Sequence, residues 1–220
     1  MRKARGETVL LLHGLWMNRL AMLPLARALE TAGFASLAAS YHSMRGTLDQ
    51  NIATVESQFD TLPAGPVHLL GHSLGGILAL ELLRRHAGGA PRARHVRLGR
   101  VLLLGAPVAG CDAAHAFARL PGGRMLLGET LALWPPHLPQ RPVADIPAGC
   151  EVGAIAGTRH LGLAMMLVSI AGEHDGVVRV EETRLPGLAD HITLPVSHSG
   201  MLLSSEVARQ CIAFLQGAAF

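Results

Sequence analysis

The sequence is poor in charged and aromatic residues, and Lys3 is its only lysine. Charged residues make up 16% of the 220 positions and half of the residues are hydrophobic. This balance excludes a disordered chain and is typical of a globular domain. The formal net charge is only +3. We interpret the densest basic stretch, Arg84–Arg100, as a solvated surface, so nucleic-acid binding is not expected.

Cysteine is also scarce. Cys111, Cys150 and Cys211 are widely spaced and form neither a C-x-x-C pair nor an even set. They therefore predict no disulfide framework, and they suit a reducing compartment. The sequence also has no H-E-x-x-H motif and no clustered ligand spacing, so we expect no metal and no other cofactor.

Long apolar runs are absent as well. The first run, Val9–Leu12, is ended by His13 and Gly14 and is too short for the core of a secretory signal. The longest run, Leu161–Gly172, is too short to span a bilayer. We therefore expect a soluble, cytoplasmic protein.

Strand-like and helix-like patterns alternate along the chain. The predicted strands are Thr8–Leu12, Phe34–Tyr41, Val67–Gly71, Arg100–Leu104, Glu151–Ala156, Val168–Ala171 and His191–Pro195. The predicted helices are Arg19–Ala32, Leu48–Leu62, Gly75–His86 and Ser205–Gln216. Alternation of this kind indicates an α/β fold with a mostly parallel central sheet and helices on both faces. The length suits one domain, residues 1–220.

One stretch, residues 106–147, breaks the alternation. It contains seven prolines and one helical piece, Arg124–Trp134, and the sheet pattern resumes after it. We interpret it as a small cap that extends from the carboxyl edge of the sheet, where ligands bind in open α/β folds. Its apolar side chains either line an acyl pocket or only pack the insertion onto the body; they are Met125, Leu126, Leu131, Leu133 and Trp134.

The pentapeptide Gly71–Gly75 has the G-x-S-x-G pattern, with Ser73 at its centre. It lies between a predicted strand and a predicted helix, which is the arrangement of a nucleophile elbow. The two glycines remove Cβ atoms that would clash in the tight turn, and the helix that follows points its N–H groups at the same spot. Ser73 is therefore the candidate nucleophile.

A serine nucleophile needs a base, and His198 is the candidate among 12 histidines. It follows the last predicted strand and comes after both the serine and the acid in chain order. The rivals are His191, which lies at the wrong end of that strand, and His174, which neighbours the candidate acid.

Asp175 is the candidate acid that orients the base. It follows an apolar segment, precedes Gly176 and lies between Ser73 and His198 in the chain. Glu173 is the second choice, with Asp190 and Asp145 as more distant alternatives. If Asp175 has no catalytic role, Asp175 and Gly176 simply form a turn.

The oxyanion hole needs two backbone N–H donors. Leu74, directly after the nucleophile, is one candidate. The other is Leu15, in the loop after the first strand, with Trp16 as the alternative. The Trp16 side chain either lines the substrate pocket or shields the core.

With these motifs and the loop Gly105–Gly110, the sequence resembles the α/β-hydrolase superfamily. More narrowly, it is similar to bacterial lipase- and esterase-like members with a short cap, including the group related to GPI-inositol deacylases. The resemblance implies the α/β-hydrolase fold and a Ser73-His198-Asp175 triad. In such relatives the catalytic acid lies in an Asp-Gly loop, which favours Asp175 over Asp145.

The expected activity is hydrolysis of carboxylic esters through an acyl-enzyme on Ser73. Two alternatives stay open: a thioesterase or acyltransferase on the same triad, and a non-catalytic binding protein that keeps the fold. The expected partner is a small-molecule ester or lipid substrate, which would allow transient contact with a membrane or lipid surface.

Overall fold

In the part of the chain that the structure describes, six parallel strands form the central sheet. The computed structural model describes residues 6–87, 96–132, 150–161 and 170–220, with backbone alone for residues 87 and 129–132. The strands are β1 (Thr8–Leu12), β2 (Ala35–Ala38), β3 (Gly65–His72), β4 (Val96–Leu104), β5 (Val152–Gly157) and β6 (Asp190–Leu194). Their spatial order is β2-β1-β3-β4-β5-β6, and every neighbouring pair is parallel.

Helices connect the strands and cover both faces of the sheet. They are α1 (Leu23–Thr31), α2 (Leu48–Phe59), α3 (Leu74–Ala87), α4 (Asp112–Ala118), α5 (Gly123–Ala132) and α6 (Ser205–Gly217). None of the helices within the described ranges is long and apolar enough to cross a membrane.

The first strand shows how the sequence builds two cores. All five residues of β1 are buried, and successive side chains point to opposite faces of a sheet. Leu10 and Leu12 therefore join the cluster that includes residues of α2 and α3. Val9 and Leu11 join the cluster on the other face, with residues of α1 and α6. The unbroken apolar run is explained by burial on both faces.

The strand order reverses beside β1, which places a crevice at the carboxyl ends of the strands. The chain runs from β1 outward to β2 and then returns to β3 on the other side of β1. Ligands bind at such a switch point in open α/β sheets. The loops after β1 and β3 both open at this edge, so the fold brings together the two segments that the sequence singled out.

Two predicted elements differ from the observed ones in kind and not only in length. The predicted strand Val168–Ala171 is wrong for Ile170 and Ala171, which are in coil, and residues 168–169 lie outside the described ranges. The predicted helix Arg19–Ala32 begins as a 3₁₀ turn, Arg19–Met22, and α1 starts only at Leu23. Pro24 lies in the first turn of α1, where its missing N–H costs nothing.

The insertion after β4 is described up to residue 132. It forms α4 and α5, and α5 is kinked at Gly128, whose φ of 70° departs from helical geometry. A Cβ at Gly128 would lie 2.3 Å from the carbonyl oxygen of Met44, in the loop after β2. The insertion therefore packs directly against a neighbouring loop at the carboxyl edge.

Candidate active site

Ser73 lies in a strained turn between β3 and α3. Its φ is +54°, a left-handed conformation that costs a residue with a side chain roughly 1–2 kcal/mol. A Cβ on Gly71 would lie 2.3 Å from the carbonyl oxygen of Gly75, and one on Gly75 would lie 2.2 Å from that of Leu12. The predicted steric role of both glycines is confirmed.

Asp175 and His198 meet at the same edge of the sheet. His198 Nδ1 lies 2.7 Å from Asp175 Oδ2, and the His198 N–H donates to the Asp175 carbonyl oxygen at 2.9 Å. Both side chains are buried. Because a carboxylate only accepts, Nδ1 carries the proton in this contact. The lone pair of neutral His198 is therefore on Nε2.

The surroundings of Asp175 favour its ionised form. Burial raises its pKa, but the His198 ring and the N–H groups of Val177 and Val178 lower it by more, so the net pKa of Asp175 is below its usual value. Both N–H groups donate to Oδ1, at 2.9 and 2.8 Å. This leaves Oδ2 for His198.

Two glycines make room for this pair. A Cβ on Gly105, at the end of β4, would lie 3.0 Å from Asp175 Oδ2 and 3.2 Å from His198 Nδ1. A Cβ on Gly157, at the end of β5, would lie 2.7 Å from Asp175 Cβ. The ends of β4 and β5 thus form the floor under the carboxylate and the imidazole.

His72, directly before Ser73, is a residue that sequence reasoning missed. It is completely buried, and its Nε2 lies 2.9 Å from the carbonyl oxygen of His198. Burial, reinforced by the His198 ring, lowers the pKa of His72 to about 3. The ring is therefore neutral near pH 7, and Nε2 must carry its proton because a carbonyl oxygen only accepts.

The His72 contact joins the elbow to the loop of the candidate base. The two imidazole centroids, of His72 and His198, are 4.7 Å apart. The position of His72 inside the G-x-S-x-G pentapeptide was the available signal for this role. Its contact partner, however, is a main-chain oxygen 126 positions away, which no local pattern indicates.

The loop after β1 lies against the elbow. A Cβ on Gly14 would lie 3.3 Å from Ser73 Cβ and 2.9 Å from His72 Nδ1. His13 stacks on Tyr41 at a centroid distance of 4.1 Å, and the Tyr41 hydroxyl donates to the His13 carbonyl oxygen. These contacts hold the loop against Ser73.

The predicted oxyanion donors are the N–H groups of Leu15, in the loop after β1, and of Leu74, directly after Ser73. Leu74 is the first residue of α3, so its N–H has no partner one turn earlier in the helix. Within the part of the chain that the structure describes, neither N–H donates to another backbone group. Both remain candidates.

The pocket candidates divide into described and undescribed residues. Trp16 is 56% exposed, its indole N–H donates to the Leu126 carbonyl oxygen at 2.7 Å, and its ring meets Phe117 of α4 edge-on. Leu126 is also exposed. The Leu131 side chain, Leu133 and Trp134 lie outside the described residues.

The rival histidines are engaged elsewhere. His174 Nδ1 accepts from the Gly176 N–H at 3.0 Å, and its ring stacks on His160. His191 contacts the Thr183 hydroxyl at 2.8 Å. The structure brings neither of them to Ser73.

The rival acids that the structure describes do not contact the base. Glu173 is exposed, and Asp190 accepts from the backbone N–H groups of His191 and Phe220. Asp145 lies outside the described residues. Of the three predicted acids that the structure describes, Asp175 is the one in contact with His198.

Glu182 is a second residue that the sequence analysis did not single out. This buried carboxylate accepts from the N–H groups of Asp112, at the start of α4, and of Arg179, and its carbonyl oxygen accepts from Ala109. Burial raises its pKa, and these contacts only partly offset that effect. Glu182 therefore ties the base of the insertion to the Asp175 loop.

No group of three or more potential metal ligands occurs among the described residues. The chemistry available at this edge is that of a serine, an imidazole and a carboxylate, with backbone N–H groups nearby.

Solved structures share this fold at low sequence identity. The mature Bacillus licheniformis lipase BlEst2 aligns over 95% of this chain and 90% of its own length, with a TM-score of 0.70 and 19% identity. The chain spans only half of the propeptide form of that lipase. The Bacillus subtilis carboxylesterase CesB aligns over 100% of this chain and 86% of its own, with a TM-score of 0.60 and 16% identity.

Similarity at this level shows the fold and not the activity. Among curated proteins, none matches the sequence. The sequence model of the alpha/beta hydrolase family, however, matches residues 9–208. That match includes the elbow, the Asp175 loop and the His198 loop, and the chain therefore belongs to the alpha/beta hydrolase family.

Proposed function

We propose that the protein is a serine hydrolase of carboxylic esters, with Ser73 as nucleophile, His198 as general base and Asp175 as its orienting acid. The observation that carries this proposal is the buried His198–Asp175 pair, joined at 2.7 Å, at the edge where Ser73 occupies a strained elbow. Strain of this kind is retained where function requires it. The lipase and carboxylesterase folds of the structural neighbours support the same reaction class.

The first step forms the acyl-enzyme. Ser73 Oγ attacks the acyl carbon of the ester while His198 Nε2 takes the hydroxyl proton. The oxygen of the tetrahedral intermediate becomes negative, and the alcohol then leaves with the proton from His198. Asp175 stays ionised and stabilises the imidazolium that forms between these events.

The second step repeats the chemistry with water. Water attacks the acyl carbon as His198 Nε2 takes its proton, and Ser73 leaves as the alcohol after regaining that proton. The products are a carboxylic acid and free enzyme. No metal or cofactor takes part in this sequence of steps.

The oxyanion in both steps would accept from the N–H groups of Leu15 and Leu74. Leu74 offers the N-terminal end of α3, where the helix dipole favours negative charge. Removing one such donor in other hydrolases costs roughly 10²–10³ in kcat.

We further propose that the protein works in the cytoplasm. The support is that Cys111, Cys150 and Cys211 are all free thiols. Burial raises the pKa of Cys111 to about 12 and that of Cys150 to about 11, so these thiols are protonated and unreactive near pH 7.

The test is hydrolysis of p-nitrophenyl esters with acyl chains from two to sixteen carbons. We expect turnover by the wild type and its loss by a factor of about 10³ or more in Ser73→Ala. Ser57→Ala, at an exposed serine of α2, is the matched control and should retain full activity. The chain-length optimum would measure the length of acyl chain that the site accepts.

Full activity in a folded Ser73→Ala variant would overturn the proposal. If the wild type hydrolyses thioesters but not oxygen esters, the triad assignment stands and the substrate class changes from esters to thioesters.

A further inference from the structure

The exposed apolar side chains of this protein are concentrated at one edge. Within the described ranges, all nine exposed large hydrophobic residues lie on segments that follow the carboxyl end of a strand; they are Trp16, Leu20, Leu23, Met44, Leu120, Met125, Leu126, Leu161 and Leu203. Single exposed apolar residues are common, and an interaction surface requires several of them on adjoining segments.

Five of these residues lie on the loop after β1, the loop after β2 and the insertion, which contact one another; we call these five the cap rim: Trp16, Met44, Leu120, Met125 and Leu126. The Trp16 indole N–H donates to the Leu126 carbonyl oxygen. The backbone of α5 approaches Met44 at Gly128. Leu120 lies in the turn between α4 and α5, where its carbonyl oxygen accepts from the Gly123 N–H.

The cap rim carries positive charge between its apolar side chains. Arg45 follows Met44 directly, Arg119 precedes Leu120 and Arg124 precedes Met125, and all three arginines are exposed. No carboxylate in the described part of the chain pairs with them. Asp112, on the neighbouring α4, is held by Arg179 at 2.7 Å.

We propose that the cap rim docks on the surface of a bilayer that contains anionic lipids. Tryptophan, leucine and methionine side chains leave water at the boundary between headgroups and acyl chains. Arginine keeps its charge at the headgroups while its stem lies along apolar surface. The three arginines select a negative surface over a neutral one, and their attraction to it is screened by salt.

The orientation follows from the position of the rim. Trp16 lies two residues after Gly14, whose backbone packs against Ser73, so docking brings the mouth of the candidate active site to the lipid surface. The proposal does not require Ser73 to be catalytic. Its failure and that of the proposed function can therefore be told apart.

The test is co-sedimentation of the full chain, carrying Ser73→Ala so that no lipid is consumed, with phosphatidylcholine vesicles that contain or lack phosphatidylglycerol. We expect binding to the anionic vesicles, weaker binding at high salt, and little binding to phosphatidylcholine alone. Equal binding to both vesicles, or binding to neither, would overturn the proposal.

Charge reversal locates the surface. We expect the variant R45E/R119E/R124E to bind anionic vesicles more weakly than the unreversed protein, by a factor of about ten at least. The matched control reverses three exposed arginines away from the cap rim, with the same change in net charge: R27E/R97E/R184E. An equal loss in both variants, or a loss in the control alone, would contradict docking through the rim.

Trp16 provides a second measurement that does not depend on charge. In a Trp134→Phe background, Trp16 is the only tryptophan, and anionic vesicles should shift its emission to the blue. Met125→Gln should weaken binding, whereas Leu203→Gln, at an equally exposed apolar position, should not. An unshifted Trp16 emission in the presence of bound vesicles would contradict the assigned face.

Discussion

At the scale of single residues, His72 and Asp175 hold the candidate base from two sides. His72 reaches the main chain of His198, and Asp175 reaches its Nδ1. Positioning of this kind matters because an error of about 1 Å at a reacting group can cost roughly 10² in rate. We therefore expect substitutions at both positions to affect the base without touching substrate.

Replacing His72 tests the first of these contacts. His72→Phe keeps a ring but removes the donor to the His198 carbonyl oxygen, so we expect kcat to fall about tenfold or more. His72→Gln supplies an amide N–H at a similar reach and should recover part of the loss. The low-field proton resonance of the His198–Asp175 hydrogen bond should shift in the first variant and return toward its wild-type position in the second.

A purely structural role for His72 would give a different result. Both variants would then lose thermal stability, with kcat and the low-field resonance unchanged in the fraction that remains folded.

Asp175→Asn tests the second contact through the pH dependence of stability. The pKa of Asp175 is lowered in the folded protein, whereas in the unfolded chain it is about 3.9. The ionised carboxylate therefore stabilises the fold, and this contribution is complete at pH values above the unfolded-state pKa. This contribution is lost as the pH falls through the folded pKa. The difference in free energy of unfolding between wild type and variant should therefore be constant near neutral pH and shrink below about pH 4.

Urea denaturation at a series of pH values measures this difference, and kcat should fall by about 10³–10⁴ in the same variant. A stability difference that grows as the pH is lowered would contradict the assigned ionisation of Asp175.

At the scale of elements, the elbow depends on the contact of α3 with β1. The missing Cβ of Gly75 allows the first turn of α3 to touch the carbonyl oxygen of Leu12, at the end of β1. Gly75→Ala places a methyl group against backbone that cannot move aside, and should cost about 2–3 kcal/mol or more of stability.

Gly217→Ala, in the last turn of α6, is the matched control. A Cβ there meets nothing within 4 Å and φ is not positive. This variant should be as stable as wild type or gain about 0.5 kcal/mol. Equal urea midpoints for Gly75→Ala and wild type would contradict the packing of the elbow.

Much of this architecture could be predicted from the sequence, because β1, β5 and most of β3 are buried on both faces and appear in the sequence as apolar runs. The bounds of β1 agree with the prediction, and β3 and β5 differ from it by one or two residues. The predicted strand Phe34–Tyr41 is longer than observed β2, Ala35–Ala38. Its apolar pattern continues past the last paired residue because Tyr41 is buried against His13.

The segment before Asp175 shows where such reasoning ends. The predicted strand Val168–Ala171 is wrong at Ile170 and Ala171, which are in coil, and in the described sheet β5 pairs directly with β6. Hydrophobicity reports burial, whereas strand pairing depends on which neighbours are available.

At the scale of the whole molecule, the sheet order brings distant parts of the sequence to one edge. Ser73, Asp175 and His198 follow three different strands, and each loop opens at the carboxyl ends. The G-x-S-x-G motif suggested Ser73, and chain order together with position after predicted strands suggested His198 and Asp175. The contacts of His72 and Glu182 could not be predicted, because both involve partners that only the assembled sheet brings near.

The central claim is that Ser73 is an activated nucleophile. A fluorophosphonate reacts with such a serine, and intact-mass measurement counts the adducts. We predict one adduct on the wild type and on Ser57→Ala, none on Ser73→Ala, and slower labelling of His198→Ala. Equal labelling of Ser73→Ala and wild type, or an unlabelled wild type that is folded, would contradict the account.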